Sequence, residues 1–298
     1  MKKVFAFLLA LVLLPAASLG ETIVTSFYPI WLLALNLADG VPELEVRNLA
    51  APGTGCLHDY QLQTGDMKVL SEADLFLVNG AGMESYLDHV FSAFPDLPVA
   101  EAAAGIPLLT ETDALTIGEN EDDGEINAHI WLSTANAAVM AENLAKAMEA
   151  QFPDRQEKIE DNRKALQARL LALDQELREG LSGLPRKGII TFHEAFPYFA
   201  RAYGLDIVAV VNREPGETLT PAQLAQLAEA IVALDAPPLF VEPQYEDLSA
   251  RTLAAETGAA IYTLDPVVTG PEEDVPPDYY ETVMRRNMET LREALGGE

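Results

Sequence analysis

Residues 154–181 read DRQEKIEDNRKALQARLLALDQELREGL, and this stretch decides how the rest of the chain is arranged. Ile159, Leu166, Leu170, Leu173 and Leu177 recur three, four or seven residues apart on a charged background. That is the period of an amphipathic helix with one buried stripe. Pro153 stands where a helix can begin, and Gly183-Leu184-Pro185 where it ends. At 1.5 Å per residue the helix would run about 42 Å, the height of a two-lobed molecule. It is read as a rigid strut joining two blocks rather than as a surface helix of one.

Both flanks of the strut alternate short β-branched runs with amphipathic stretches. Before it, Thr22–Phe27, Leu44–Asn48, Asp74–Val78 and Pro98–Ala102 read as strands. Helices are expected through Ile30–Leu35, near Asp66–Glu72, and over Met83–Phe94 and Ala135–Ala150. After it, strands at Gly188–Phe192, Asp206–Val211, Leu239–Glu242 and Ala259–Leu264 alternate with helices at Ala195–Tyr203, Pro221–Leu234, Leu248–Glu256 and Asp278–Leu295. Such alternation implies an α/β fold, with a parallel sheet and helices on both faces in each half. The halves share this architecture but no sequence repeat.

The start of the chain reads as an export signal. Lys2 and Lys3 precede an apolar run from Val4 to Ala17, and Ser18-Leu19-Gly20 offers small residues for cleavage before Glu21. The apolar run is shorter than the ~20 residues a membrane span needs. The expected division is therefore a signal peptide at 1–20, a first lobe at 21–152, the linking helix at 153–183 and a second lobe at 184–298. The single cysteine, Cys56, forms no internal disulfide and lies too far from the cleavage point to carry a lipid, so a freely diffusing, monomeric periplasmic protein is expected. The formal charge is −28, and loss of Lys2 and Lys3 makes it two units more negative. That disfavours nucleic acid and anionic membranes as partners. The acidic patch Glu119–Glu125 reads as a solvated loop.

The chain has four histidines. His58, His129 and His193 each sit just after or within an expected strand, where ligands of open parallel sheets bind. Asp265 ends the strand-like run Ala260–Leu264. Three imidazoles and a carboxylate make the four-coordinate set that Zn²⁺ prefers. His89 falls on an expected helix and is read as non-functional. Cys56, two residues before His58, could reach the same site, but lone cysteines are more often buried small hydrophobes, and it is read as one. Rival chemistries are weak. The zincin motif that His193-Glu194 would open needs a histidine where Pro197 stands, and neither a nucleophile elbow nor a phosphate loop is present.

With these residues in view, the whole chain from residue 21 resembles the solute-binding proteins of ABC importers for zinc and manganese, the zinc-uptake and adhesin-lipoprotein group. The motifs are His58-Asp59-Tyr60 with Asp66 following, Ala128-His129-Ile130-Trp131-Leu132, Thr191 to Phe199 around His193-Glu194, Val241-Glu242-Pro243-Gln244, and Leu264-Asp265-Pro266. The resemblance implies two Rossmann-like lobes joined by one backbone helix, with the metal in the cleft between them. It implies His58, His129, His193 and Asp265 as ligands, and a membrane permease of an ABC importer as partner. Prolines usual around the first two histidines are replaced by Leu57, Leu62, Thr64 and Ala128. The loop before the second ligand is short and acidic instead of His-rich, so no auxiliary histidine trap is expected. The zinc group of this family carries histidine at the position of His193, and the manganese group carries glutamate. Imidazole suits Zn²⁺, while Mn²⁺ suits harder oxygen ligands.

The function expected is capture of Zn²⁺ in the periplasm and delivery to the permease, with no enzymatic activity; Mn²⁺ or Fe²⁺ is the alternative cargo. A secreted zinc hydrolase is the rival from another class. It would require Asp265 to stand aside and a water to take its place beside Glu194 or Glu242, since catalytic zinc keeps an open position.

Overall fold

One strand order is used twice. The computed structural model describes residues 20–57, 60–110, 115–116, 126–211, 219–245 and 248–297. Residues 1–19, where the export signal is expected, the acidic patch at 119–125, and His58 lie outside the described residues. In the first half β1 (Glu21–Thr25), β2 (Leu44–Asn48), β3 (Leu75–Val78) and β4 (Val99–Glu101) form a four-stranded sheet in the order β2-β1-β3-β4, every pairing parallel. In the second half β6 (Gly188–Thr191), β7 (Asp206–Val210), β8 (Leu239–Val241) and β9 (Ile261–Thr263) line up as β7-β6-β8-β9, again all parallel. Each sheet reverses its winding direction once, between β1 and β3 and between β6 and β8, and that switch point opens a crevice at the strands' carboxyl ends.

A short strand completes the second sheet from outside its own half. β5 (Leu115–Thr116) precedes the linking helix in sequence, yet pairs in parallel with Ala209 and Val210 of β7, making that sheet five-stranded.

Local chemistry explains the helices. α1 (Tyr28–Ala38) and α6 (Pro197–Tyr203) carry proline in the first turn, where no amide is needed. α6 stops at Gly204, whose φ of 70° is a left-handed cap. α7 (Pro221–Ala233) opens on a capping box. Thr220 Oγ1 accepts from the Gln223 amide, and Gln223 Oε1 accepts from the Thr220 amide. α2 (Thr64–Ser71) uses Asp66, whose carboxylate accepts from Gln63 N–H at 2.7 Å and Tyr60 O–H at 2.9 Å, anchoring the segment Tyr60–Gln63 that leads into the helix. α3 spans Leu87–Ala93, α4 Thr134–Gln151, α8 Leu248–Thr257 and α9 Tyr279–Leu295.

The strut is α5, Gln156–Leu181, 26 residues long, which at 1.5 Å per residue is about 39 Å. Ile159, Leu166, Leu170, Leu173, Leu177 and Leu181 are its buried face. That face packs on α4 and α1 of the first half and on α6 and α9 of the second. Burying each such side chain contributes about 1.5–3 kcal/mol relative to leaving it in water. Polar ties reinforce it. Asn162 donates to the Leu37 and Asp39 carbonyls that end α1, and Arg169 reaches both Asn36 on α1 and Glu281 on α9. Trp131 closes the junction of the lobes. Its indole N–H donates to Pro266 O at 2.7 Å, and its carbonyl accepts from Tyr280 O–H. No helix of the described residues is long and apolar enough to cross a membrane.

Candidate metal centre

Three chain segments meet where the lobes face each other. Cys56 lies in the loop after β2. His129 precedes a 3₁₀ turn, Ile130–Leu132, that leads into α4, so the segment around it is a turn and not the expected strand. Trp131 locks this turn from both sides, which is why it outweighs the apolar local sequence. His193 leaves the carboxyl end of β6, the middle strand of its sheet. The two imidazoles are almost completely buried, each 2 % exposed. Their Nε2 atoms stand 3.1 Å apart, and Cys56 Sγ is 3.4 Å from His129 Nε2. Among the described residues these are the three metal-ligating side chains whose donor atoms lie within 4.8 Å of one another. Cys56 packs against the core, as a lone cysteine is expected to, and its sulfur also stands beside His129.

Asn127 fixes which nitrogen of His129 is available. Its Nδ2 donates to Glu194 O at 2.7 Å, so its Oδ1 must face His129. There Oδ1 accepts from the His129 amide at 3.1 Å and lies 3.3 Å from Nδ1. An acceptor beside Nδ1 holds the ring proton there and leaves Nε2 as a lone pair aimed at His193 and Cys56. The same amide ties this turn to the loop that carries His193. Behind it, Asn79 Nδ2 donates to Ala128 O at 3.0 Å, and the Asn79 and Gly80 amides donate to buried Glu84 at 2.7 and 3.0 Å. Burial pushes the Glu84 carboxyl up to about 7. Neither Asn127 nor Glu84 was a sequence candidate; the only signal was a side-chain amide two residues before a candidate histidine, His129.

Asp265 stands outside the group of three. It follows β9 in the second lobe, half-buried, and burial raises its carboxyl above the ordinary range. Its Oδ1 accepts from Val267 N–H at 2.8 Å, while Asn287 of α9 bonds both its backbone amide and its carbonyl. Val267 has φ 62°, a left-handed conformation that β-branched side chains avoid. The strained turn persists because these bonds and the Trp131–Pro266 bond hold it from three sides. Glu242, beyond β8, is buried and pushed up to about 8, first by burial and then by the charge of Asp265, against the hydrogen bond from Gln244. The second lobe thus holds two carboxyls, those of Glu242 and Asp265, that burial shifts upward. His89 is exposed on α3 and takes no part.

Nitrogen and sulfur donors gathered between two equivalently wound lobes, with oxygen donors behind them, define a metal-binding solute receptor. The chain belongs to the family described as zinc-uptake complex component A, periplasmic, whose model matches residues 23–294. It is 28% identical over 288 residues to the zinc-binding lipoprotein AdcA of Streptococcus pneumoniae, covering 93% of this chain and 56% of AdcA, so it spans little more than half of that relative's length. It is 30% identical over 276 residues to the iron-binding protein YfeA of Yersinia pestis, covering 92% of this chain and 86% of YfeA. Other relatives that it matches are described as metal ABC transporter substrate-binding lipoproteins. Among solved structures, that of the Pseudomonas aeruginosa SBP FpvC in complex with Mn²⁺ superposes with a TM-score of 0.81 at 26% identity, covering 93% of this chain and 98% of FpvC.

Proposed function

We propose that the protein captures Zn²⁺ in the periplasm, after export directed by residues 1–20, and passes it as a monomer to the membrane permease of an ABC importer. The observation that carries this reading is the convergence of two buried imidazoles, Nε2 to Nε2 at 3.1 Å, with the Asn127 amide facing His129 Nδ1. Buried neutral imidazole is a donor suited to zinc, and Mn²⁺ takes harder oxygen ligands. His58 and Asp265 complete the proposed ligand set with His129 and His193. A relative described as zinc-binding supports the cargo. Mn²⁺ and Fe²⁺ are the competing cargoes, since FpvC is described in complex with Mn²⁺ and YfeA as iron-binding.

Calorimetric titration of chelator-treated protein with the three ions tests this. One tight site, filled more strongly by Zn²⁺ than by Mn²⁺ or Fe²⁺, is the expected result. His193→Glu should weaken Zn²⁺ and narrow its lead over Mn²⁺, whereas His89→Ala should change neither. The proposal fails if no tight site exists, if several do, or if His89→Ala loses the metal while His193→Glu keeps it.

A further inference from the structure

Cys56 is the only cysteine of the chain, and it sits beside the lone pair of a ligand histidine. Its Sγ lies 3.4 Å from His129 Nε2, and that nitrogen lies 3.1 Å from His193 Nε2. Three features separate this place from ordinary packing. The three donors arrive from separate segments of the chain and lie within 4.8 Å of one another. Asn127 Oδ1 beside His129 Nδ1 keeps the ring proton off Nε2, so the atom facing sulfur is a donor pair. Finally, Asp265, one oxygen of which accepts from Val267 N–H, is not among these three clustered donors. A dication at the imidazoles favours anionic donors in contact with it, and among the described residues the acid-forming side chain grouped with the two imidazoles is Cys56, as its thiolate.

We propose that Cys56 Sγ is itself a metal ligand, and that this sulfur biases the cargo away from Mn²⁺ and toward Zn²⁺ and other ions that accept thiolate. Soft sulfur donors select zinc-like ions, while manganese favours carboxylate, carbonyl and water. The inference rests on metal capture at His129 and His193. On binding, the S–H bond breaks, the metal–sulfur bond forms, and the proton leaves to solvent.

The test is zinc-edge X-ray absorption on zinc-loaded wild type and Cys56→Ser, with competitive titration of Zn²⁺ and Mn²⁺ into both. The expected result is a sulfur shell at about 2.3 Å in the wild type that the variant lacks. Zinc affinity should fall by about tenfold or more in the variant, with Mn²⁺ affinity changing far less, so that the zinc preference narrows. If the wild type binds one zinc through nitrogen and oxygen alone and Cys56→Ser keeps its affinity and preference, this inference is overturned while metal capture stands. If the wild type binds no zinc, both fall. Should the variant not fold, wild-type Cys56 decides the matter: zinc should protect it from iodoacetamide, and alkylation at the same rate with and without zinc refutes ligation.

Discussion

Asn127 holds its amide between the carbonyl of Glu194 and the imidazole of His129. Removing it should let the ring flip or exchange its tautomer. We expect Asn127→Ala to lower metal affinity by about 10–100-fold, the usual loss when a ligand histidine's outer partner is deleted; titration against a chromophoric chelator measures it, and an unchanged affinity would show that the ring needs no such support. Glu84 acts further back, on the loop that Asn79 links to the Ala128 carbonyl. Its folded-state value of about 7 lies above the ordinary 4.5. The stability it contributes is therefore complete below about 4.5 and lost as pH rises through about 7. Glu84→Gln should flatten the pH dependence of metal-free stability across that window by at most about 3 kcal/mol, as read from urea melts at its two ends. His193 and Asp265 were legible as candidates because each follows a strand, whereas His129 stands at a turn that its local sequence did not announce. The approach of Cys56 to His129 was not legible, since a cysteine and a histidine 73 residues apart in sequence carry no mark of adjacency.

At the scale of elements, the stripe on α5 was plain from spacing alone, because a helix that buries one face must repeat at 3.6 residues. Its energetic role can be checked with two neighbouring leucines. Leu173 is fully buried and Leu171 is 54% exposed. Leu173→Ala should cost about 2–5 kcal/mol, and Leu171→Ala should stay within about 0.5 kcal/mol of wild type; equal losses in denaturant melts would mean that the stripe does not carry the packing. The paired strands matched their expected positions to within a few residues, since buried parallel strands are continuous apolar runs. Three features were less legible. α3 starts at Leu87 and not at Met83, because Gly80, Ala81 and Gly82 all take positive φ and delay the helix. The His129 segment is apolar enough to look like a strand but is held as a turn by Trp131. β5 is two residues long, too short for any period to show.

For the whole molecule, the donors lie on both sides of the interlobe crevice, so an occupied site should pin the lobes together. At a free zinc concentration a thousand times the dissociation constant, the folded state gains about 4 kcal/mol. Melting in the presence and absence of zinc should differ accordingly, and coincident curves would mean that the ion does not bridge the lobes. The crossover of β5 has a separate consequence. A fragment cut at the linking helix would leave β7 with a bare edge, open to strands of other chains, and would strand Leu115–Thr116 on the other piece without a sheet. The two lobes are accordingly not interchangeable modules. A chimera that takes one lobe from this chain and the other from a relative, spliced at the helix, inherits the outer strand of one parent and the sheet of the other, and its seam runs through a β-ladder instead of around it.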